Sequence, residues 1–198
     1  MILPIVGYGN AVLRKTAQDI QSGHPGLNEL IADMFETMYN ANGVGLAAPQ
    51  VGKAIRLFIV DASVYAEDED EADGLSKDEE KRKLKDFKRI FINARILSED
   101  GVEWPFNEGC LSIPKIREDV NRLPKIRLSY LNENFNKMEE EFDGLAARII
   151  QHEHDHIEGK LFTDRINPLR RRMLKGKLDD IAKGKVEVDY KMKFAKVK

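Results

Sequence analysis

The sequence predicts an α+β protein of one domain over residues 1–198, in which antiparallel strands pack around a central helix and a further helix lies near the C-terminus. The chain has 198 residues, a usual length for a single domain. Apolar residues alternate along several short stretches, as in half-buried strands, and recur every three or four residues along others, as in amphipathic helices. We expect the strands to wrap round the helix at 144–157 and to bury one of its faces.

The first third of the chain predicts a helix, a loop and a strand. Leu27–Tyr39 has apolar residues at helical spacing, which line one face of a helix. These residues are Leu27, Leu30, Ile31, Met34 and Met38. Gly43, Gly45 and Pro49 interrupt the pattern and predict a loop whose backbone can approach another group closely. Ile55–Asp61 then predicts a strand.

The middle of the chain predicts a charged insertion between strands. Ala66–Lys88 is rich in acidic and basic residues and poor in apolar ones, which is typical of a solvated surface insertion. Phe91–Leu97 and Ile126–Leu131 alternate and predict two half-buried strands. The residues expected on their buried faces are Ile92, Ala94 and Ile96 in the first strand and Ile126, Leu128 and Tyr130 in the second.

The last third predicts two helices. Asp143 is a suitable N-cap for a helix whose apolar face has Leu145, Ile149 and Ile150, and Gly159 is suited to end it in a left-handed turn. Residues 169–198 predict a variable C-terminal part. Within it, Leu169–Lys183 predicts a basic helix, and Val186–Phe194 alternates weakly enough to be a strand or a loose tail.

Composition excludes several classes of function. The net charge is -2, with 32 basic and 34 acidic residues, which gives no general attraction for nucleic acid or an anionic membrane. Met1–Tyr8 lacks the pattern of a secretory signal, and no apolar run is long enough to span a bilayer. A single cysteine, Cys110, excludes an intramolecular disulfide and suits a reducing compartment. We therefore expect a cytoplasmic protein that recognises its partners at a local site.

Three of the four histidines lie within residues 151–156. On a helix, His152 and His156 are one turn apart on one face, so both imidazoles can bind one metal ion. Glu153 lies beside that face, where its carboxylate can act as a base without binding the ion. His154 points away and is expected at the surface, and Asp155 is expected to anchor the helix to a basic neighbour.

Two imidazoles make an incomplete metal site, and the residues leave the third ligand open. Downstream carboxylates such as Glu158 and Asp164 are candidates, as in zincin peptidases. The sole cysteine, Cys110, lies upstream next to Gly109, where a thiolate could face the helix. A lone cysteine is more often a small buried apolar residue.

At these positions the sequence resembles the peptide deformylase family, whose three motifs occur here in order: Gly43-Val44-Gly45-Leu46-Ala47-Ala48-Pro49-Gln50, Glu108-Gly109-Cys110-Leu111-Ser112 and Gln151-His152-Glu153-His154-Asp155-His156. The likeness covers most of residues 1–168. It implies that Cys110, His152 and His156 hold a divalent metal. It also implies that Glu153 is the general acid/base and that Gln50 and the Leu111 amide stabilise the oxyanion.

The resemblance implies removal of the formyl group from the N-terminal formyl-methionine of newly synthesised polypeptides, with release of formate. Three protein ligands leave a position for water, so metal-bound hydroxide is the expected nucleophile, with Glu153 accepting and returning its proton. The resemblance favours Fe²⁺ in the cell, while Zn²⁺, Ni²⁺ or Co²⁺ also suit the ligands. The expected partners are formyl-methionyl nascent peptides near the ribosome exit, with no direct contact to nucleic acid or membrane, and a monomer is expected.

The expected substrate contacts surround the three motifs. The backbone of Gly43–Gly45 can pair with an extended peptide as an added strand. The walls of a methionine-sized pocket are expected from Val44, Phe106, Ile149 and His152. Further contacts are expected from Glu108 and Gly109 of the second motif and from Arg117 at the peptide entrance.

Two other hypotheses remain for the same residues. One is a zincin-like peptidase with a carboxylate as third ligand, and the other is a binding module in which the ion only braces the fold. The sequence also departs from the family pattern. The charged stretch Ala66–Lys88 is longer than expected, Asn107 stands where many members have an acid, and the segment after Arg170 mixes features of different subgroups.

Overall fold

The computed structural model describes residues 1–67 and 75–195. The helices are α1 (Leu27–Asn40), α2 (Val64–Glu67), α3 (Leu75–Leu84), α4 (Gly144–Ile157) and α5 (Pro168–Ala182). The strands are β1 (Ile5–Val6), β2 (Gly45–Ala47), β3 (Leu57–Asp61), β4 (Lys88–Asp100), β5 (Trp104–Cys110), β6 (Ile113–Arg122), β7 (Lys125–Leu131), β8 (Lys137–Asp143) and β9 (Met192–Lys193). The prediction of one domain of mixed helix and sheet is confirmed.

The main sheet has five antiparallel strands in the order β2-β3-β4-β7-β8, so β2 lies at one edge. Strands β5 and β6 form a separate antiparallel hairpin. Strands β1 and β9 form a short parallel pair that joins the two ends of the described chain. The hairpin and β1 were not predicted as strands, whereas β9 lies within Val186–Phe194, for which a strand was one of two predicted possibilities.

Both faces of the main sheet are covered by helices. Along β3, Phe58 and Val60 pack in one apolar cluster together with α4, while Leu57 and Ile59 pack in another together with α1. All four side chains are fully buried. Since successive side chains of a strand point to opposite faces, this short strand alone fixes α1 and α4 on opposite sides of the sheet.

Strand β4 differs from the predicted alternation. Ile92 packs on the α1 side, whereas Ala94 packs on the α4 side, so the prediction that they share one face is wrong. The cause is an irregularity in the β4–β7 register after Ile92, where Asn93 has a φ of 54°. The Asn93 amide compensates by exchanging two hydrogen bonds of 2.8 Å with the backbone of Ile20. The predicted buried face of the second strand, by contrast, is confirmed.

The start of α4 is capped from outside its own sequence. Asp143 occupies the predicted N-cap position, but its side chain makes no capping hydrogen bond and pairs with Lys83 instead. Glu80 of α3 accepts a hydrogen bond of 2.8 Å from the Leu145 N–H. A carboxylate next to the positive end of a helix is stabilising wherever it comes from in the sequence.

The end of α4 is encoded locally. Gly159 has a φ of +70°, as predicted for a left-handed terminator. Its N–H donates to the His156 carbonyl, and the Lys160 N–H donates to the Asp155 carbonyl, which is the Schellman arrangement. An added Cβ would lie 2.8 Å from the backbone oxygen of Arg14, so only glycine fits this turn.

The charged range 66–88 needs a correction at its end. Residues 68–74 lie outside the described part of the chain. Beyond them α3 forms, and Leu84 and Phe87 are buried in the cluster that contains α4. The range is therefore not wholly a surface insertion. In the C-terminal part, the basic stretch forms α5 and residues 192–193 form β9.

None of the helices in the described ranges combines the length and the apolar character needed to cross a bilayer.

We predict that Gly159→Ala lowers the free energy of unfolding by at least about 1 kcal/mol, because the left-handed φ and the contact with Arg14 both oppose a side chain. The matched control is Gly176→Ala inside α5, where a Cβ meets nothing within 4 Å. That change should stabilise the protein by about 0.5–1 kcal/mol through helix propensity. Denaturant unfolding of both variants measures the difference, and equal effects would contradict the assigned turn.

Candidate metal centre

The β5–β6 hairpin and α4 bring three ligand groups together. Cys110 is the last residue of β5, and His152 and His156 lie one turn apart on α4. Their ligand atoms all lie within 4.8 Å of one another, and the Cys110 Sγ is 3.2 Å from the His156 Nε2. A tetrahedral ion with bonds of about 2.0–2.3 Å needs ligand atoms about 3.5 Å apart. The three residues therefore fit a divalent metal in both chemistry and spacing.

The protonation states also favour metal binding. Burial alone would raise the pKa of Cys110, but the charge of His156 and hydrogen bonds from both histidines lower it to about 5. Burial alone would lower the pKa of His152, but its hydrogen bonds with Cys110 and Glu108 raise it. The thiolate that a metal ion requires as a ligand is thus available at neutral pH.

The carboxylates proposed as alternative ligands are engaged elsewhere. Glu158 forms an ion pair of 2.6 Å with the buried guanidinium of Arg56. Asp164 pairs with Arg14 and Arg171. Within the described ranges, the one group of three potential ligands that converges is Cys110, His152 and His156.

Glu108 orients the histidine ligand. Its Oε2 is 2.9 Å from the His152 Nδ1, which leaves the His152 Nε2 to face the centre. The same carboxylate receives two hydrogen bonds of 2.7 and 2.9 Å from Arg122 and one of 3.0 Å from Arg148. Burial raises the pKa of Glu108, but Arg122 and His152 outweigh it and hold the pKa well below its usual range. This side chain is therefore fully committed inside the protein, and the expected contact of Glu108 with substrate stays a prediction.

Asp155 extends the same buried network. Its carboxylate accepts a hydrogen bond of 2.7 Å from Arg122 and two of 2.6 Å from Arg165. It thus anchors α4 to basic neighbours, in agreement with its expected role. Because Arg122 bridges Asp155 and Glu108, the helix and the hairpin are tied together by one chain of charged hydrogen bonds.

Glu153 lies beside the ligands with its carboxylate buried. A Cβ on Gly45 would be only 2.5 Å from the Glu153 Oε1, so this acid packs directly on the backbone of β2. The Glu153 Oε2 is buried and has no hydrogen-bond partner within the described ranges. Burial raises the pKa of Glu153 to about 7, against the opposing effect of His152 and His156. Such a group can both accept and release a proton near neutral pH.

Gln50 has a fixed orientation next to the cysteine. Its Oε1 accepts a hydrogen bond of 2.8 Å from the Ala47 N–H. Its Nε2 therefore points the other way, 3.3 Å from the Ser112 Oγ and 3.5 Å from the Cys110 Sγ. Leu111 follows Cys110 in the turn of the hairpin. The sequence-predicted oxyanion groups thus lie close to the ligand cluster.

Two of the predicted pocket residues pack in the cluster that contains α4, where Ile149 is buried and Val44 partly buried. Phe106 is half-buried, with its ring 5.5 Å from that of Trp104. The Arg148 guanidinium lies 4.5 Å above the Trp104 ring and donates a hydrogen bond of 2.7 Å to the Trp104 carbonyl. This arginine therefore stabilises β5 through contacts with both the ring and the backbone of Trp104.

The remaining predicted contacts lie around the hairpin. Arg117 is exposed and donates to the side chain and backbone of Asn107, so these two residues are held against each other. A Cβ on Gly109 would be 2.9 Å from the Arg117 guanidinium, and one on Gly43 would be 2.8 Å from Leu111. Glycine at both positions therefore permits the close packing around the cysteine turn.

Sequence reasoning missed some buried residues. His154 is not a surface residue, since its side chain is only 12% exposed. The roles of Arg122 and Arg148 were not predicted. Arg148 could have been noticed, because it lies inside an apolar stretch and four residues before His152, on the same helix face.

The comparisons with known proteins agree with this geometry. The family model described as polypeptide deformylase matches residues 2–172. The chain belongs to the peptide deformylase family. A peptide deformylase from Flavobacterium johnsoniae is 57% identical over 198 residues, covering 100% of this chain and 98% of the relative. One from Flavobacterium psychrophilum is 58% identical over 194 residues, covering 98% and 97%.

Solved structures of the family have the same fold. The crystal structure of a peptide deformylase from Legionella pneumophila is 35% identical, with a TM-score of 0.74 over 93% of this chain and 98% of that one. Membership makes the chain an enzyme of the peptide deformylase class. The family is metal-dependent, and Cys110, His152 and His156 form the group in this chain that could hold the ion.

We predict that Glu108→Gln weakens metal affinity about 10–100-fold, because the amide holds His152 and its arginine partners less strongly. The matched control is Glu118→Gln, the residue directly opposite on β6, whose carboxylate pairs with the exposed Arg170. Competition with a chelator measures both variants, with thermal unfolding recorded alongside. Equal affinities in the two variants would contradict the orienting role of Glu108.

Proposed function

We propose that the chain hydrolyses the N-formyl group of the N-terminal formyl-methionine of newly synthesised polypeptides and releases formate. The observation that carries this proposal is the convergence of Cys110, His152 and His156 beside the buried carboxylate of Glu153. Membership of the peptide deformylase family supports the choice of substrate. Three ligands instead of four support a catalytic site over a structural one.

We assign the cofactor as one divalent ion bound by Cys110, His152 and His156. Such an ion acts as a Lewis acid, which polarises a carbonyl group and makes water more acidic. Resemblance to the family favours Fe²⁺ in the cell, and the thiolate and imidazole ligands also suit Zn²⁺, Ni²⁺ and Co²⁺.

Glu153 is assigned as the general acid/base. Its carboxylate would accept a proton from the attacking water and deliver it to the nitrogen as the C–N bond of the formamide breaks. The products are formate and a free N-terminus, so atoms and charge balance with one water consumed. The raised pKa of Glu153 and its unpartnered oxygen support both proton transfers.

Gln50 and Leu111 are assigned to the developing negative charge on the formyl oxygen. The Gln50 Nε2 is held towards the cysteine because its own oxygen is bound by the Ala47 N–H. The Leu111 N–H is the second donor, from the residue that follows Cys110. A donor of this kind typically contributes about 3–4 kcal/mol of transition-state stabilisation, provided that it is already oriented.

The substrate chain is proposed to lie along β2. This strand is an edge of the main sheet and, within the described ranges, pairs only with β3. The backbone at Gly43–Gly45 can therefore add an extended peptide as a further strand. Val44, Phe106, Ile149 and His152 are proposed to surround the methionine side chain, with Gly109 close by and Arg117 near the entrance.

The proposed setting is the cytoplasm near the ribosome exit, where formyl-methionyl peptides first emerge. We propose that the enzyme acts as a monomer and binds neither nucleic acid nor membrane directly. The nearly balanced charge of the chain supports this, because it provides no general attraction for polyanions.

We predict that the metal-loaded protein releases formate from a formyl-Met peptide and releases no acetate from the matched acetyl-Met peptide. Glu153→Gln should retain the metal and lose at least about 100-fold in kcat, because the amide cannot transfer the proton. Coupled detection of formate and metal analysis of the same samples measure both effects. Equal turnover of the two peptides would reject the proposed specificity, and an active Glu153→Gln variant would remove Glu153 from the mechanism.

We predict that Cys110→Ala loses both bound metal and deformylation, which separates this proposal from a zincin-like peptidase. In a peptidase with a carboxylate as third ligand, the variant would keep its metal and continue to cleave internal peptide bonds. Metal content and hydrolysis of a blocked peptide distinguish the two. The commitment of Glu158 and Asp164 to arginine partners supports the first outcome.

A further inference from the structure

The turn that follows the cysteine ligand is poorly specified by its own residues. Leu111 and Ser112 form a two-residue turn between Cys110 and Ile113. Two-residue hairpins favour turns with a positive φ at one or both central residues, and neither Leu111 nor Ser112 has one. The conformation of this turn therefore depends on contacts from other parts of the chain.

Two hydrogen bonds from the ends of the described chain hold the turn. The Tyr8 N–H donates to the Ser112 carbonyl at 2.9 Å. The Tyr190 hydroxyl donates to the Leu111 carbonyl at 2.8 Å, across 79 residues of sequence. The turn is thus bound by the segment after β1 and by the segment before β9.

The position of Tyr190 is fixed relative to that of Tyr8. Strands β1 and β9 are parallel, with the Ile5 N–H donating to the Lys191 carbonyl at 2.8 Å and the Gly7 N–H donating to the Lys193 carbonyl at 2.9 Å. Phe194 packs closely over Gly7, where a Cβ would lie 2.9 Å from its ring. The C-terminal segment is therefore held in register with β1, the strand that precedes Tyr8.

The surroundings keep the Tyr190 hydroxyl protonated. Burial raises the pKa of this phenol, and the negative charge of the nearby Cys110 raises it further. The hydroxyl is therefore protonated at neutral pH and can donate the hydrogen bond to the Leu111 carbonyl.

We infer that Tyr190 is a positioning residue of the active site, whose hydroxyl holds the Leu111 carbonyl and thereby fixes the neighbouring Leu111 N–H. The inference rests on the proposed function, because it concerns the oxyanion donor assigned there. It also gives the C-terminal segment a role in the reaction.

The effect should appear in the chemical step. The Leu111 N–H has a fixed point on either side. Cys110, which the metal would hold, precedes it, and the Leu111 carbonyl, which Tyr190 holds, follows it. Releasing the carbonyl allows the backbone on that side to rotate, and an oxyanion donor loses strength when it leaves the range of about 2.7–3.1 Å. The peptide-binding edge at β2 is not touched, so substrate binding should change little.

The test compares Tyr190→Phe with Tyr130→Phe in the full-length zinc-loaded protein. Tyr130 is the matched control, because its hydroxyl also makes a partly buried hydrogen bond, 2.6 Å to Glu140, but lies in the main sheet. Tyr190→Phe should lower kcat about two- to tenfold with KM and metal content unchanged, as expected for one lost hydrogen bond. Tyr130→Phe should leave kcat unchanged.

A second readout does not depend on activity. In protein labelled with ¹⁵N-leucine, the amide signal of Leu111, assigned by its loss in Leu111→Met, should shift in Tyr190→Phe and stay in place in Tyr130→Phe. An unmoved Leu111 signal, a wild-type kcat, or an equal loss of kcat in both variants would overturn the inference. Absence of formate release by the wild type would instead reject the proposed function, while the amide signal would still decide whether Tyr190 holds Leu111.

Discussion

One buried carboxylate, Glu108, connects the two parts of the chain from which the site is built. It lies on β5 and binds Arg122 of the same hairpin together with Arg148 and His152 of α4. Removing one partner of such a network leaves an uncompensated buried charge, which typically costs about 3–5 kcal/mol. The helix and the hairpin are therefore confined to one relative position. Cys110, two residues after Glu108, reaches His156 as a consequence.

The same enclosed surroundings give two acidic groups opposite properties. The pKa of Cys110 is lowered to about 5 because histidines lie against its sulfur. The pKa of Glu153 is raised to about 7 because its carboxylate is buried against the backbone of Gly45. Separated pKa values of this kind allow one group to be a permanent ligand and the other to exchange protons. The absence of a side chain at Gly45 permits this arrangement.

Two segments that contain no motif stabilise the two segments that contain the metal ligands. Glu80, from the charged range, caps the helix that has the histidines. Tyr190, from the C-terminal tail, binds the turn that has the cysteine. Both are single hydrogen bonds between residues far apart in the chain, and neither leaves a periodic trace in the sequence. Segments outside the three motifs therefore also contribute to the site.

The sequence by itself determined the features that depend on local geometry. The spacing of His152 and His156 fixes their common face, and Gly159 ends the helix, because both follow from the rise and turn of an α-helix. The alternation of Ile126, Leu128 and Tyr130 likewise determined one buried face. Resemblance to a family, and not spacing, selected Cys110 as the third ligand.

Only the tertiary structure decided the features that depend on partners distant in sequence. This group contains the register irregularity of β4 at Asn93 and the burial of the His154 side chain. It also contains the hydrogen bond of Glu108 to His152 and that of Tyr190 to Leu111. The physical reason is that periodicity indicates which face of an element is apolar. It does not indicate which distant residue will pair with a charged group or a hydroxyl, because that pairing depends on the folded chain.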